Sequence, residues 1–332
     1  MKRREFIALA GGAAASSMAW PLAAGAQSVE YPTRTVRIVI GFGAGGGTDT
    51  VARIVAQKLQ EELGGAFLIE NKPGGGGRLA PDTVAKSTPD GYTLLGAVAG
   101  AMTVGTAIWP NIPYDIFKDF VPISMMADYP LVVIVNKDHP AHSIAELVAW
   151  LKANPDKATE GTAGLGSGQH ISGVYFQKIT GVKFQFVPYK SGSSDIIRDI
   201  TAGHIDFTFD QAITSLSHIK SGNVRALAVT SNQRLEAAPE IPTVDEAGAP
   251  GIYISTWYGL WLPKGSPQEA IDKLGAAART ALADPALRAR LSSLGQQIPP
   301  PEQQTAAALA AYTKAEIDKW HAIIKEAGIK AE

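Results

Sequence analysis

Residues 38–59 read IVIGFGAGGGTDTVARIVAQKL, and this stretch decides the fold. Ile38–Ile40 closes an apolar, β-branched run that has the pattern of a buried strand. From Thr48 onward, Val51, Ile54, Val55 and Leu59 recur at helical spacing. Between the two, Gly41, Gly43 and Gly46 spell G-x-G-x-x-G, and Glu70 closes the next apolar run. A dinucleotide-binding loop has this context. Against it, Gly45, Gly46 and Gly47 are consecutive and Thr48-Asp49 reads as the N-cap, so the helix is expected to start after the glycines. A dinucleotide loop packs its last glycine within the helix. A Walker phosphate loop is excluded because no Gly-Lys-Ser/Thr follows. A helix beginning behind glycines still points backbone N–H groups and the positive end of its dipole at an anion.

Working outward, short β-branched runs alternate with amphipathic ones, the signature of an α/β fold with largely parallel sheets. Strands are expected at Thr35–Ile40, Phe67–Glu70, Tyr92–Leu95, Leu131–Val135, Lys183–Pro188 and Ile205–Phe209, with a further apolar run over 256–263. Helices are expected at Thr48–Leu63, Ala80–Ser87, Ile144–Ala153, Gln169–Ile179, Asp195–Thr201, Pro267–Ala283 and Gln304–Glu326. Ser143 with Glu146 forms a capping box for the third of these. A second glycine loop runs from Gly161 to Gly168. The order strand, glycine loop, helix, glycine, strand thus occurs over 36–77 and again over about 159–192. Two similar lobes, each presenting a glycine loop at a helix N-terminus, would grip a carboxylate from both sides.

The 332 residues are 45% hydrophobic and 18% charged, a globular composition long enough for two domains. The formal charge is −1 and no basic patch points to nucleic acid. With no cysteine there are no disulfides, thiolate metal sites or cysteine nucleophiles, and the six histidines lack metal-ligand spacing. No cofactor or metal is therefore expected. Lys2, Arg3 and Arg4 precede the Ala/Gly-rich stretch Phe6–Ala24, and Ala24-Gly25-Ala26 supplies small residues for cleavage. This reads as an export signal over residues 1–26, with Arg3-Arg4-x-Phe6-Ile7 resembling a twin-arginine leader and a Sec signal as the alternative. Losing three positive charges and one negative (Glu5) takes the formal charge from −1 to −3. A soluble periplasmic protein is expected.

Gly45-Gly46-Gly47-Thr48-Asp49, Glu70-Asn71-Lys72-Pro73-Gly74, Pro89-Asp90-Gly91-Tyr92-Thr93-Leu94-Leu95 and Pro113-Tyr114-Asp115 follow one another along the chain. Val187-Pro188-Tyr189-Lys190, Arg225-Ala226-Leu227-Ala228-Val229-Thr230, Ile241-Pro242-Thr243-Val244, Trp257-Tyr258-Gly259-Leu260 and Asp284-Pro285 complete the series. In these segments the whole mature chain resembles the Bug (TctC-type) family of periplasmic solute-binding proteins, which serve tripartite tricarboxylate transporters. The resemblance implies a two-lobed α/β binding protein of the type II, Venus flytrap kind. Its lobes would be 31–129 with 256–332, and 130–255, hinged near 128–131 and 255–259. It implies a monomer that captures a small carboxylate through backbone groups and water, then docks on membrane permease subunits or a sensor. Carried over by position, the ligand-binding residues are Phe42, Ala44, Gly45, Gly46 and Thr48 in one lobe. In the other they are Gly166, Ser167, Gly168 and His170, with Asp210 on the loop after Phe209.

Three departures from the family bear on the ligand. Arg78 stands where a polar residue is usual, Gly96-Ala97-Val98-Ala99-Gly100 replaces a more polar loop, and Phe42-Gly43-Ala44 replaces a proline-containing stretch. They imply a less polar pocket with one added cation, suited to a dicarboxylate with an apolar middle, aromatic such as terephthalate or aliphatic. Arg78 would grip the second carboxylate as a bidentate partner. Plainer readings stand beside these: Arg78 as a solvated loop residue, Asp49 as a helix cap, Asp210 as a cap, and Trp257 and Tyr258 as packing. An exported NAD(P)-dependent oxidoreductase using Gly41, Gly43 and Gly46 is the alternative function. An esterase built on Ser167 and His170 lacks the strand-to-helix elbow that such a nucleophile needs.

Overall fold

The computed structural model describes residues 30–109, 111–155 and 157–328, so the expected export signal and its cleavage site lie outside the described residues. The described residues from Tyr31 onward form one compact unit. The chain runs β1 (Val36–Ile40), α1 (Gly47–Leu63), β2 (Phe67–Asn71), α2 (Leu79–Ala85), β3 (Thr93–Val98), a π-helical turn (Gly100–Val104), α3 (Gly105–Ile108) and β4 (Phe120–Asn136). It continues through α4 (Ile144–Ala153), β5 (Thr159–Thr162), α5 (Gly168–Thr180), β6 (Gln185–Pro188), α6 (Ser193–Thr201), β7 (Phe207–Gln211), α7 (Ala212–Lys220) and β8 (Val224–Val229). β9 (Ser255–Pro263), α8 (Gln268–Ala283), α9 (Pro285–Ser293) and α10 (Ala306–Ala327) follow.

The strands form one hydrogen-bonded path, β2-β1-β3-β9-β4-β7-β5-β6, with β8 also paired to β4. β1 lies parallel between β2 and β3, and β5 lies parallel to β6 and β7. This mixed α/β path repeats one motif at both ends. β1–α1–β2 and β5–α5–β6 each carry a glycine loop before the helix and a left-handed glycine after it, Gly64 at φ 73° and Gly181 at φ 69°. The duplication read from the sequence is therefore present in the fold.

The two ends are joined by β4. Its first part pairs antiparallel with β9, from Phe120↔Pro263 to Pro130↔Ser255. From Leu131 onward the same strand pairs with β7 and β8 instead. The sequence reading placed a strand only at Leu131–Val135. Pro122, Ser124, Asp128 and Pro130 interrupt the apolar pattern before it, and the pairing accommodates them by slipping register between Pro122 and Ser124. Thr230 fastens this crossing: its Oγ1 accepts from Leu131 N–H at 2.9 Å and meets the Ile254 carbonyl at 2.6 Å.

Three further boundaries differ from the reading. β3 runs on to Val98, because Gly96–Val98 pair with Tyr258–Leu260 of β9, so these three residues are strand and not part of a loop after Leu95. Asp210 is inside β7, opposite Val132, and not on a loop after Phe209, because the antiparallel pairing with β4 carries the strand two residues further. Helix α9 was not foreseen; Asp284 caps it by accepting from Leu287 N–H at 2.9 Å, and Pro285 occupies its start. Trp257 and Tyr258 pack in the interior as expected, Trp257 with no exposed surface and Tyr258 stacked on Tyr129 at 4.7 Å.

Candidate functional site

Four helix starts converge on one cleft. α1 contributes Gly46, Gly47 and Thr48, α5 contributes Gly168 and Gln169, α6 contributes Gly192 and Ser193, and Gln211 is the N-cap of α7. Phe42, Val98, Tyr129, Leu131, Ala163, Ser191 and Thr256 complete the lining. Counted with the open solvent at its mouth, the space is about 480 Å³. No Asp, Glu, His, Lys or Arg is among the lining residues. Recognition of an anion here falls on backbone N–H groups, the dipoles of the helices, and hydroxyl and amide side chains.

The glycines are placed where backbone meets backbone across this cleft. A Cβ at Gly43 would lie 2.9 Å from the Ser191 carbonyl oxygen, and one at Gly100 would lie 2.5 Å from that of Gly166. A Cβ at Gly76 would come within 2.1 Å of the Leu165 carbonyl oxygen. Within the first unit, a Cβ at Gly41 would likewise lie 2.4 Å from the Gly77 carbonyl oxygen. The G-x-G-x-x-G pattern therefore serves close approach and a helix start.

The first loop also corrects the expected cap. Gly46 is the N-cap of α1 and Gly47 its first residue, so the helix begins within the glycine run and not at Thr48-Asp49. Asp49, in the first turn, reaches back to accept from Gly45 N–H at 3.0 Å, and also takes bonds from Arg53 and Asn71. Burial alone would raise this carboxyl, but those donors outweigh it and hold it below the ordinary carboxylate range. Asn71 ties the network to the Phe42 carbonyl at 2.9 Å.

The second loop uses neutral groups. Ser167 caps α5, its hydroxyl accepting from the backbone N–H of His170 at 3.3 Å. The His170 Nδ1 accepts from Gly166 N–H at 3.3 Å, and the ring packs on Phe186 at 4.6 Å. Burial lowers this imidazole to about 4, so it is neutral and an acceptor at ordinary pH. The bond to Ser167 comes from backbone, and the imidazole is not presented to that hydroxyl as a base.

Of the expected ligand residues, Phe42, Gly46, Thr48 and Gly168 line the cleft. Gly166, Ser167 and His170 shape the loop just behind it, and Ala44 and Gly45 are exposed and outside the lining set. Asp210 is fully buried beneath it, one oxygen taking a bond from Thr214 at 2.5 Å; burial raises its carboxyl. Arg78 is outside the lining set: its Nε donates to the Gly75 carbonyl at 2.9 Å and its guanidinium lies 3.6 Å over the Trp109 ring.

The sequence reading missed Gln169, Ser191, Gly192, Ser193, Gln211, Tyr129 and Thr256 as lining residues. One signal was available: Gly192-Ser193 precedes an amphipathic helix, as the other glycine loops do. Gln169 Nε2 donates to Ser193 Oγ at 3.2 Å and so couples the starts of α5 and α6. Gln211 and Thr256 carry no local signal, since β7 and β9 bring them in from afar; Tyr258 donates its hydroxyl to Gln211 Oε1.

A cleft of helix N-termini along one strand path, with β4 and β9 crossing between its ends, defines the class: a solute-binding protein with the periplasmic binding-protein fold. Solved relatives agree. The periplasmic binding protein BugD is 35% identical, covers 91% of this chain and 100% of its own, and superposes with a TM-score of 0.86. MatC from Rhodopseudomonas palustris, solved with bound malate, is 32% identical over 89% of this chain and 100% of its own, with a TM-score of 0.84. R. palustris Rpa4515, solved with adipate, is 32% identical over 91% and 100%, with a TM-score of 0.86. Residues 51–329 match the model of the tripartite tricarboxylate transporter family receptor, TctC. The chain belongs to that family, which is one of solute-binding receptors.

Proposed function

We propose that this chain captures a small dicarboxylate in the periplasm, as a monomer, and delivers it to the permease subunits of a tripartite tricarboxylate transporter. The observation that carries the reading is the convergence of the α1, α5 and α6 N-termini on a cleft lined by no charged side chain. Such ends hold carboxylates without a cation. The apolar side chains of Phe42, Val98, Leu131 and Ala163 suit a ligand with an apolar middle, aliphatic or aromatic. Adipate and malate in two solved relatives agree with this chemistry. Lobes comprising 31–129 with 256–332, and 130–255, would close about the Pro130–Ser255 crossing. The leader over residues 1–26 would direct export.

A thermal-shift screen of the mature protein, confirmed by calorimetry, tests the reading with malate, adipate, terephthalate, a tricarboxylate, amino acids and NAD(P). A ligand at one hundred times its Kd adds about 2.7 kcal/mol. A shift with diacids is expected. A shift with NAD(P) alone, or with amino acids alone, would overturn it.

A further inference from the structure

Trp109, at the end of α3, lies between Arg78 on one side and the Leu165–Gly166 segment on the other. Its indole face receives the Arg78 guanidinium, and its ring atoms Cη2 and Cζ3 would each lie 2.7 Å from a Cβ at Gly166. Leu165 packs in the same apolar cluster, with Ile108 and Ile171. Arg78 also bonds the Gly75 carbonyl, at the head of the turn whose Gly76 abuts the Leu165 carbonyl. Arg78 therefore binds together two separate pieces of the first half, the Gly75–Gly77 turn and Trp109. Both press on the same short segment of the second half, Leu165–Ser167. Among the described residues no carboxylate pairs with Arg78, and burial lowers its pKa while Tyr114 nearby opposes this.

We infer that Arg78 and Trp109 form a latch that holds the closed form on the Leu165–Gly166 segment, setting how long ligand is retained without touching it. This rests on the two-lobed capture reading above. A group that stabilises only the closed state lowers the dissociation rate and leaves encounter unchanged. Because Arg78 acts on Trp109 through a cation–π stack, the two must be coupled. A ligand contact by Arg78 would instead be independent of Trp109.

Stopped-flow kinetics with adipate as the probe test this on Trp109→Ala, Arg78→Met and the double variant. Trp109→Ala is expected to raise the dissociation rate about 30-fold and Arg78→Met about 5-fold, with association within twofold of wild type. The double variant should dissociate no faster than Trp109→Ala alone. Multiplying effects would show that Arg78 grips the ligand itself and would overturn the latch, as would unchanged dissociation. Hydrogen exchange of the ligand-free protein separates this outcome from failure of the diacid reading. Both variants should speed exchange across Leu165–Ser167 whether or not adipate binds. If wild type ignores adipate but the exchange effect is present, the latch stands and the ligand reading falls; if exchange is unchanged there too, the latch falls with it.

Discussion

In the loop before α1 the ionised Asp49 gathers Gly45 N–H, Arg53 and Asn71, whereas in the loop before α5 the neutral Ser167 and His170 hold the turn. Both loops join a strand to a helix and both open onto the same cleft, but they make different electrostatic offers. α1 carries an acid in its first turn, which offsets part of the positive end of its dipole; α5 carries none there. The comparison teaches that the start of α1 carries a paired charge, Asp49 with Arg53, while the start of α5 carries none. It also teaches that the first loop is stabilised by charge and the second by burial, so the two fail under different conditions.

The largest expected effect concerns the backbone of the second loop as the surface on which the first half closes. Gly100 lies in a helical turn with no left-handed φ, so alanine there adds no backbone strain, and the nearest atoms its Cβ would meet belong to the Gly166–Ser167 backbone, the Gly166 carbonyl oxygen at 2.5 Å. Gly100→Ala should weaken adipate at least about 100-fold, roughly 2.7 kcal/mol, while the ligand-free protein unfolds at nearly the same temperature. Calorimetry and thermal unfolding read the two quantities separately. A variant that binds normally would show that the loops need not approach this closely.

Next in size is the charge on the first loop. Asp49→Asn removes the charge and one of the two accepting oxygens on which Gly45, Arg53 and Asn71 converge, at a side chain only 4% exposed. Hydrogen bonds to charged groups are worth about 1.5–3 kcal/mol, and Arg53 is half-exposed, so a stability loss of about 2 kcal/mol is expected in urea unfolding. A loss confined to a few tenths would mean that the first loop is held by its glycine backbone and not by the carboxylate.

What could be read beforehand follows the range of the forces involved. The two strand–loop–helix–strand units were legible because caps, left-handed glycines and apolar spacing act within a few residues, as at Gly64, Gly181 and Ser143. Phe42, Gly46, Thr48 and Gly168, which line the cleft, came from the family resemblance and not from these local signals. β4 was not legible before Leu131, since its pairing with β9 overrides two prolines, and Asp210 was misplaced because a distant strand extended β7. The Asp49 network was hidden behind a plausible cap. Arg78 drew a ligand role from its charge, while its position over Trp109 depends on a fold that brings α3 to the glycine turn.

The smallest effect at neutral pH lies on the second loop, and its sign distinguishes the two loops. Burial lowers His170 from 6.5 to about 4. Between those values the unfolded chain holds a proton that the folded chain refuses, so His170 stabilises fully above about 6.5 and loses this as pH falls toward 4. Asp128, at the β4–β9 crossing, runs the other way. Burial, with Glu316 adding, raises it from 3.8 to about 6 against bonds from Ser255 and Tyr129 N–H and the charge of Lys319. Its contribution is present below about 3.8 and is lost as pH rises through 6. In the wild type these slopes oppose each other. His170→Asn keeps an acceptor for Gly166 N–H but cannot titrate, so it removes one slope and leaves the other. At pH 7 the variant should be slightly less stable than wild type, through lost packing on Phe186. As pH falls to 5 it should gain on wild type by at most roughly 2 kcal/mol, since one pKa unit is worth about 1.4. Thermal unfolding across this range measures the difference directly. A difference that does not vary with pH would remove His170 as the acid-sensitive element, and with it the contrast between a loop held by charge and one held by burial.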